Sequence, residues 1–221
     1  MERPVSRATH AAADPAAERR PRGRPRKTVE DRDDGNRRQE VLRSAARLFR
    51  RKGFHATSTR DIAAAAGMQS GSPFYHFKSK GALLYAVMEE GMRSAILRQQ
   101  AALEGAPAAA AERLRVLVRN HFDILLGTGS DFIPVMLYES RSITARQRVL
   151  LAQLQSAYEA PWTPVLEALR AGGRLRADVK LARLLIFGAL NWSAQWYDRR
   201  KGASLDELSA AAINLFIGDT P

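Results

Sequence analysis

Gln69, Ser70, Gly71 and Ser72 stand together at the opening of a short helical stretch: one amide, two hydroxyls and a residue without a side chain. Groups of this kind carry no covalent chemistry. They approach base edges closely, and short polar residues at a helix amino end bind anions readily. Cations crowd the same region. Residues 37–80 hold ten Lys/Arg (Arg37, Arg38, Arg43, Arg47, Arg50, Arg51, Lys52, Arg60, Lys78, Lys80) against two acids, Glu40 and Asp61, a net of +8. The whole chain carries +12, so residues 1–36 and 81–221 share only +4. Excess positive charge gathered on one segment is the footprint of a nucleic-acid face.

Other chemistries lack their residues. With no Cys there is no disulfide, thiolate nucleophile or Cys-ligated metal, and a reducing cytoplasm is the natural setting. The histidines are His10, His55, His76 and His121, and no triad or ligand set forms around them. His121 and Asp123, two apart, diverge on a helix. An enzyme is therefore not expected, nor a metal or cofactor. The longest apolar run, 184–197, is interrupted by Asn191 and Gln195 and falls short of the roughly 20 residues of a bilayer span. The amino end has no apolar signal core. These features predict a soluble, cytoplasmic protein, nucleoid-associated when bound to DNA, with no membrane partner.

Periodicity gives the elements that must position those residues. Residues 1–36 have almost no large apolar side chains and are expected to form a disordered basic tail. Val41, Leu42, Ala45, Leu48 and Phe49 predict a helix over about 37–52, stopped by Gly53. Ser58, three residues before Asp61, opens a second helix as a capping box, and Gly67 ends it. A third helix with Phe74 and Phe77 follows so soon that the pair must cross steeply and pack on the first. Longer helices come next, over about 79–104, 107–126, 132–138, 144–171, 178–200 and 204–218. Pro161 and Pro164 should kink or break the 144–171 helix. Asp178 caps the helix after it, and Ser204 with Glu207 forms another capping box. No strand-period stretch of useful length occurs. The fold class is all-α with about nine helices: a helix-turn-helix DNA-binding domain over 37–84 and a larger helical ligand-binding and dimerisation domain over 85–221.

Residues 41–84 resemble the DNA-binding domain of TetR-family transcriptional regulators. The resemblance rests on Arg60-Asp61-Ile62-Ala63, Ala66-Gly67, Gly71, and the run Tyr75-His76-Phe77-Lys78-Ser79-Lys80 with Leu83 and Leu84. It implies that Arg60 reaches DNA from the second helix and that Ser70, Gly71 and Ser72, beside Gln69, face the groove. It also implies that His76 lies near the phosphate backbone and that Lys80 contacts phosphate at the start of the fourth helix. Pro73 stands where the family usually has Leu, which is tolerable in a first turn where no amide is needed. Phe74, among the DNA-facing residues, replaces the usual Tyr; Tyr75 is expected to supply the missing hydroxyl.

The tail segment Pro21 to Lys27 resembles an AT-hook. Arg22, Arg24 and Arg26 suit the negative potential of a narrow A·T minor groove, and Gly23 and Pro25 keep the chain thin and extended. The plainer reading is a basic linker.

In the second domain, the 178–200 helix is apolar nearly all round and must be covered on both sides. Leu181, Leu185, Gly188 and Trp192, with Leu208, Ala212 and Leu215 of the last helix, are expected to pair with a second copy in a four-helix interface. A homodimer presents two reading helices to successive grooves and calls for a palindromic double-stranded operator. Helices over 107–171 should enclose a pocket lined by His121, Phe122, Leu125, Phe132, Met136, Tyr138 and Trp162, with Trp192; each is also a residue that ordinary core packing would claim. The segment Gly188 to Asp198 is similar to TetR relatives of the acyl-CoA-responsive branch. That likeness implies a repressor released by a small-molecule effector, an acyl-CoA or another hydrophobic ligand. Arg141, Arg146 and Arg148 suit a phosphate-bearing ligand or simply a solvated basic face. The rival reading is an architectural or activating DNA-binding protein without an effector.

Overall fold

Local signals set most helix ends. The computed structural model describes residues 29–69, 73–129, 131–200 and 202–218; at 29–34, 73 and 74 it describes the backbone alone. Among these residues there are ten α-helices, one 3-10 turn at Ser140–Ser142 and no strand. The helices are α1 Val29–Lys52, α2 Thr59–Ala65, α3 Pro73–His76, α4 Lys80–Glu104, α5 Ala110–Leu126, α6 Phe132–Glu139, α7 Ala145–Glu159, α8 Trp162–Ala171, α9 Val179–Trp196 and α10 Leu205–Ile217.

Some boundaries differ from the sequence expectation, and one break agrees with it. Residues 29–36, assigned to the tail, continue α1, because adding a turn to a packed helix orders one residue for each hydrogen bond gained. The stretch 144–171 is two helices, α7 and α8, broken at Ala160–Pro161 as its prolines predicted, with Pro164 in the first turn of α8, where its missing amide costs little. The helix expected to reach 200 ends at Trp196.

The α2 helix is too short to persist alone. Its amino end is a full capping box: the Ser58 hydroxyl accepts from Asp61 N at 3.1 Å, and the Asp61 carboxylate accepts from Ser58 N at 3.0 Å. Its carboxyl end closes as a Schellman turn, with Met68 N donating to Ala63 O, Gly67 N donating to Ala64 O, and Gly67 at φ +67°. Ile62 and Ala63 are buried, and the Ser44 hydroxyl of α1 donates to Ala65 O at 3.2 Å. These contacts hold α2 across α1.

One core runs through the molecule. Val41, Leu42 and Phe49 of α1 join Ile62, Phe77 and Leu84, and the cluster continues through Leu117 and Phe122 of α5 to Trp162 and Leu166 of α8. The α4 helix is the spine, packed on α1, α5, α6 and α7. Gly91 lets α6 lie directly on it: a Cβ at that position would sit 2.6 Å from the Phe132 Cβ. No helix among the described residues is long and apolar enough to cross a membrane.

Candidate nucleic-acid interface and effector cavity

Arg60 and Gln69 are exposed on the outer side of α2 and the following turn, and Tyr75 on α3 is 81% exposed. His76 is half-buried and stacks edge-on between Tyr75 and Phe77. Phe77 is core, as its spacing suggested, with the Arg38 guanidinium over its ring at 5.2 Å. Ser70, Gly71, Ser72 and the tail arginines Arg22, Arg24 and Arg26 lie outside the described residues, as does the Phe74 side chain.

Lys80 has a task that its sequence did not announce. Its ammonium donates to Phe54 O and to Thr57 O, both at 2.9 Å, and lies 4.4 Å from the centre of the Phe54 ring. Two of its three protons are thus engaged by the loop joining α1 to α2. The same loop is held from the other side: the Glu139 carboxylate, at the end of α6, accepts from Phe54 N at 2.8 Å. At the opposite end of α6, Asp131 pairs with Arg50 of α1 at 3.0 Å. The helix-turn-helix is therefore braced by α4 through Lys80 and by α6 through two carboxylates.

The inner face of α6 lines a cavity. Ile133, Met136 and Leu137 meet Met92 and Ala95 of α4, His121, Ile124 and Leu125 of α5, Gln155, Tyr158 and Glu159 of α7, and Phe187 and Asn191 of α9. Its volume is about 60 Å³, room for about two waters. A wider cleft of about 220 Å³ opens beside it between α1, α4 and α6, with Arg43, Ser94 and Arg98 at its lip and Phe132 within. Ala95, Ile124 and Ile133 line both.

Of the residues expected to line the pocket, His121, Leu125 and Met136 do so. Phe132 faces the neighbouring cleft. Phe122 and Trp162 are core, with Trp162 wholly buried against Phe187. Tyr138 is exposed, and Trp192 turns outward on α9, away from the cavity. The physical reason is rotational: successive residues on α5 and α9 point about 100° apart, and only the packing decides which angle meets the void. Sequence reasoning passed over Tyr158, Gln155, Phe187 and Asn191. For Asn191 there was a signal, a polar side chain inside a helix apolar nearly all round.

His121 is the polar centre of this region. Its Nδ1 lies 3.0 Å from the Tyr158 hydroxyl and its Nε2 3.1 Å from Asn191 Oδ1. An amide oxygen only accepts, so Nε2 carries the proton and the Tyr158 hydroxyl donates to Nδ1. Burial pulls the imidazole pKa down to about 4, the Asn191 bond opposing the shift, and pushes the Tyr158 phenol up. Behind them, buried Gln99 donates to Tyr158 O and accepts from Trp162 Nε1, both at 2.9 Å.

A third surface is apolar and uncovered. Leu181, Leu184, Leu185, Trp192 and Trp196 line the outer side of α9, with Leu185 69% and Trp192 66% exposed and Gly188 between them. On α10, Leu215 is 80% exposed, while Leu208 and Ala212 are half-buried against the chain's own core.

A braced helix-turn-helix joined to a helical domain with an internal cavity defines a DNA-binding regulator of the effector-sensing class. The family profile for bacterial regulatory proteins of the tetR family matches residues 41–87, and that for the tetracyclin repressor-like C-terminal domain matches 107–219. The chain belongs to the TetR family. It is 27% identical to the HTH-type transcriptional repressor KstR2 of Rhodococcus jostii (strain RHA1) over 82% of this chain and 89% of that one. The crystal structure of superantigen PfiT is 37% identical, with a TM-score of 0.70, over 83% of this chain and 97% of the other. FadR of Bacillus subtilis, solved in complex with stearoyl-CoA, is 25% identical with a TM-score of 0.67, over 82% and 99%.

Proposed function

We propose that this protein is a transcriptional repressor that binds a palindromic operator as a dimer and is released by an acyl-CoA or similar hydrophobic effector. The observation that carries the reading is the double role of α6: one face lines the cavity, and its two end carboxylates hold the helix-turn-helix. A cavity of about 60 Å³ is smaller than the roughly 150 Å³ that admits benzene. An acyl tail must therefore push the lining helices apart, and α6 cannot shift without drawing on Phe54 and Arg50. A ligand moves an equilibrium only by its differential affinity for the two states, and this steric demand supplies one. The cleft beside the cavity, with Arg43 and Arg98 at its lip, suits the phosphate-bearing part of a coenzyme A thioester.

TetR proteins act as dimers, and the bare face of α9 and α10 offers this chain's pairing surface. Arg60, Gln69, Tyr75 and His76, with Ser70 to Ser72, would meet DNA, each copy reading one half-site. Repression by a DNA-bound regulator places its work in the cytoplasm. The domain division at about residue 84, and a minor-groove role for Arg22, Arg24 and Arg26, belong to the same proposal. Fluorescence anisotropy on duplexes selected from genomic DNA tests it. Sequence-specific binding that declines on titration with hexanoyl-CoA or stearoyl-CoA is expected. Binding without sequence preference, even in dilute buffer, would refute it, and specific binding indifferent to every thioester would favour an architectural protein.

A further inference from the structure

Two amide groups line the apolar cavity without a matching acceptor. Asn191 Oδ1 is committed to His121 Nε2–H at 3.1 Å. Asn191 Nδ2, left with two protons, has no hydrogen-bond partner among the described residues. Gln155 Nε2 has only the Met136 thioether sulfur, at 3.8 Å, a weak acceptor. Around them Met92, Leu125, Ile133 and Phe187 offer none, and the Glu159 carboxylate is taken by Arg183. An amide donor in a largely apolar lining gains a hydrogen bond from a ligand that brings an oxygen.

Charge narrows the choice of oxygen. The carboxylate of Glu159 lines the same cavity and is already paired with Arg183. His121 stays neutral, and no other cation lines the cavity. An anionic ligand group would find no unpaired cation in the lining, whereas a neutral carbonyl needs none.

We propose that Asn191, with Gln155 beside it, reads a keto oxygen on the apolar part of the effector, so that the ligand class is an oxidised acyl thioester rather than a plain saturated one. The inference rests on the effector cavity proposed above and adds its specificity. His121 and, behind it, Tyr158 act on the ligand oxygen through the Asn191 amide and are positioning residues. A site built to hydrogen-bond a ligand oxygen discriminates against the analogue that lacks it.

The test is calorimetry on the full-length protein with hexanoyl-CoA and its 3-oxo and 5-oxo counterparts. At least one oxo probe is expected to bind about tenfold tighter than hexanoyl-CoA. Asn191→Leu, similar in shape, is expected to erase that preference, read as the ratio of oxo to hexanoyl-CoA affinity within the variant. Gln155→Met, a milder change on half-buried α7, is expected to reduce the preference in the same direction. Wild-type protein that binds hexanoyl-CoA as tightly as both oxo probes overturns the inference and leaves the effector reading standing. So does an oxo preference that survives both substitutions. Failure of every thioester to bind overturns the effector reading and this inference together.

Discussion

His121 must be neutral to occupy its place, and that makes the fold sensitive to acid. Its imidazole titrates near 6.5 when unfolded and is pulled down to about 4 when folded. Between those values the unfolded chain binds the extra proton, so stability is complete above about pH 6.5 and is lost as pH falls towards 4. At ~1.4 kcal/mol per unit the shift is worth roughly 3 kcal/mol. The cap carboxylates of Asp61, Asp178 and Glu207, held low chiefly by backbone N–H bonds, act in the same direction at more acid pH. Urea denaturation at a series of pH values should therefore show a shallower decline between pH 6.5 and 4.5 for His121→Gln than for wild type, with the most acid part unchanged. Identical slopes would mean that the imidazole is hydrated, not buried.

At the scale of elements, the short α1–α2 loop decides how α2 presents Arg60. It is held by Lys80 of α4 and Glu139 of α6, and the Lys80 bonds are charge-assisted, the stronger kind. Lys80→Ala should lower folding stability by about 1–3 kcal/mol and weaken operator and random duplexes alike. A brace does not release a counterion, so the dependence of log K on log salt should keep its slope. Arg60→Ala should behave differently, with little loss of stability and a slope smaller by about one. Anisotropy across a salt series separates the two. A slope reduced by about one in Lys80→Ala would restore that ammonium to direct phosphate contact. The notable point is that the residue types alone made Lys80 and Arg60 look equivalent.

On the scale of the whole molecule, the outer face of α9 is an apolar surface left uncovered among the described residues. Leu181, Leu185, Gly188 and Trp192 follow a 4-3-4 spacing that keeps one side of the helix apolar. Because Leu185 is 69% exposed, Leu185→Arg should barely disturb the folded subunit, since surface changes commonly stay within about 0.5 kcal/mol. The same arginine, placed in a paired interface, faces apolar surface with no counter-charge. Light scattering should then report a monomer of unchanged helix content, and affinity for a palindrome should fall towards that for a single half-site. A variant that remains a dimer would place the interface elsewhere.

Much of the molecule was legible in the sequence because its signals are local. Ser58 with Asp61, Ser204 with Glu207, and the glycines at 53, 67 and 218 with positive φ act within one helical turn, so neighbours along the chain decide them. The all-α class, the helix-turn-helix and its basic surround, and the two-sided apolar character of α9 followed directly. What the sequence could not decide was direction in space. Phe122 and Leu125 sit one turn apart on α5, yet only Leu125 reaches the cavity; Trp162 is sealed in the core and Trp192 stands outside. Lys80 turned inward to two carbonyls that lie more than twenty residues away along the chain. Such choices depend on the angle at which separate helices meet, and that angle is set by the summed packing of all of them rather than by any one segment.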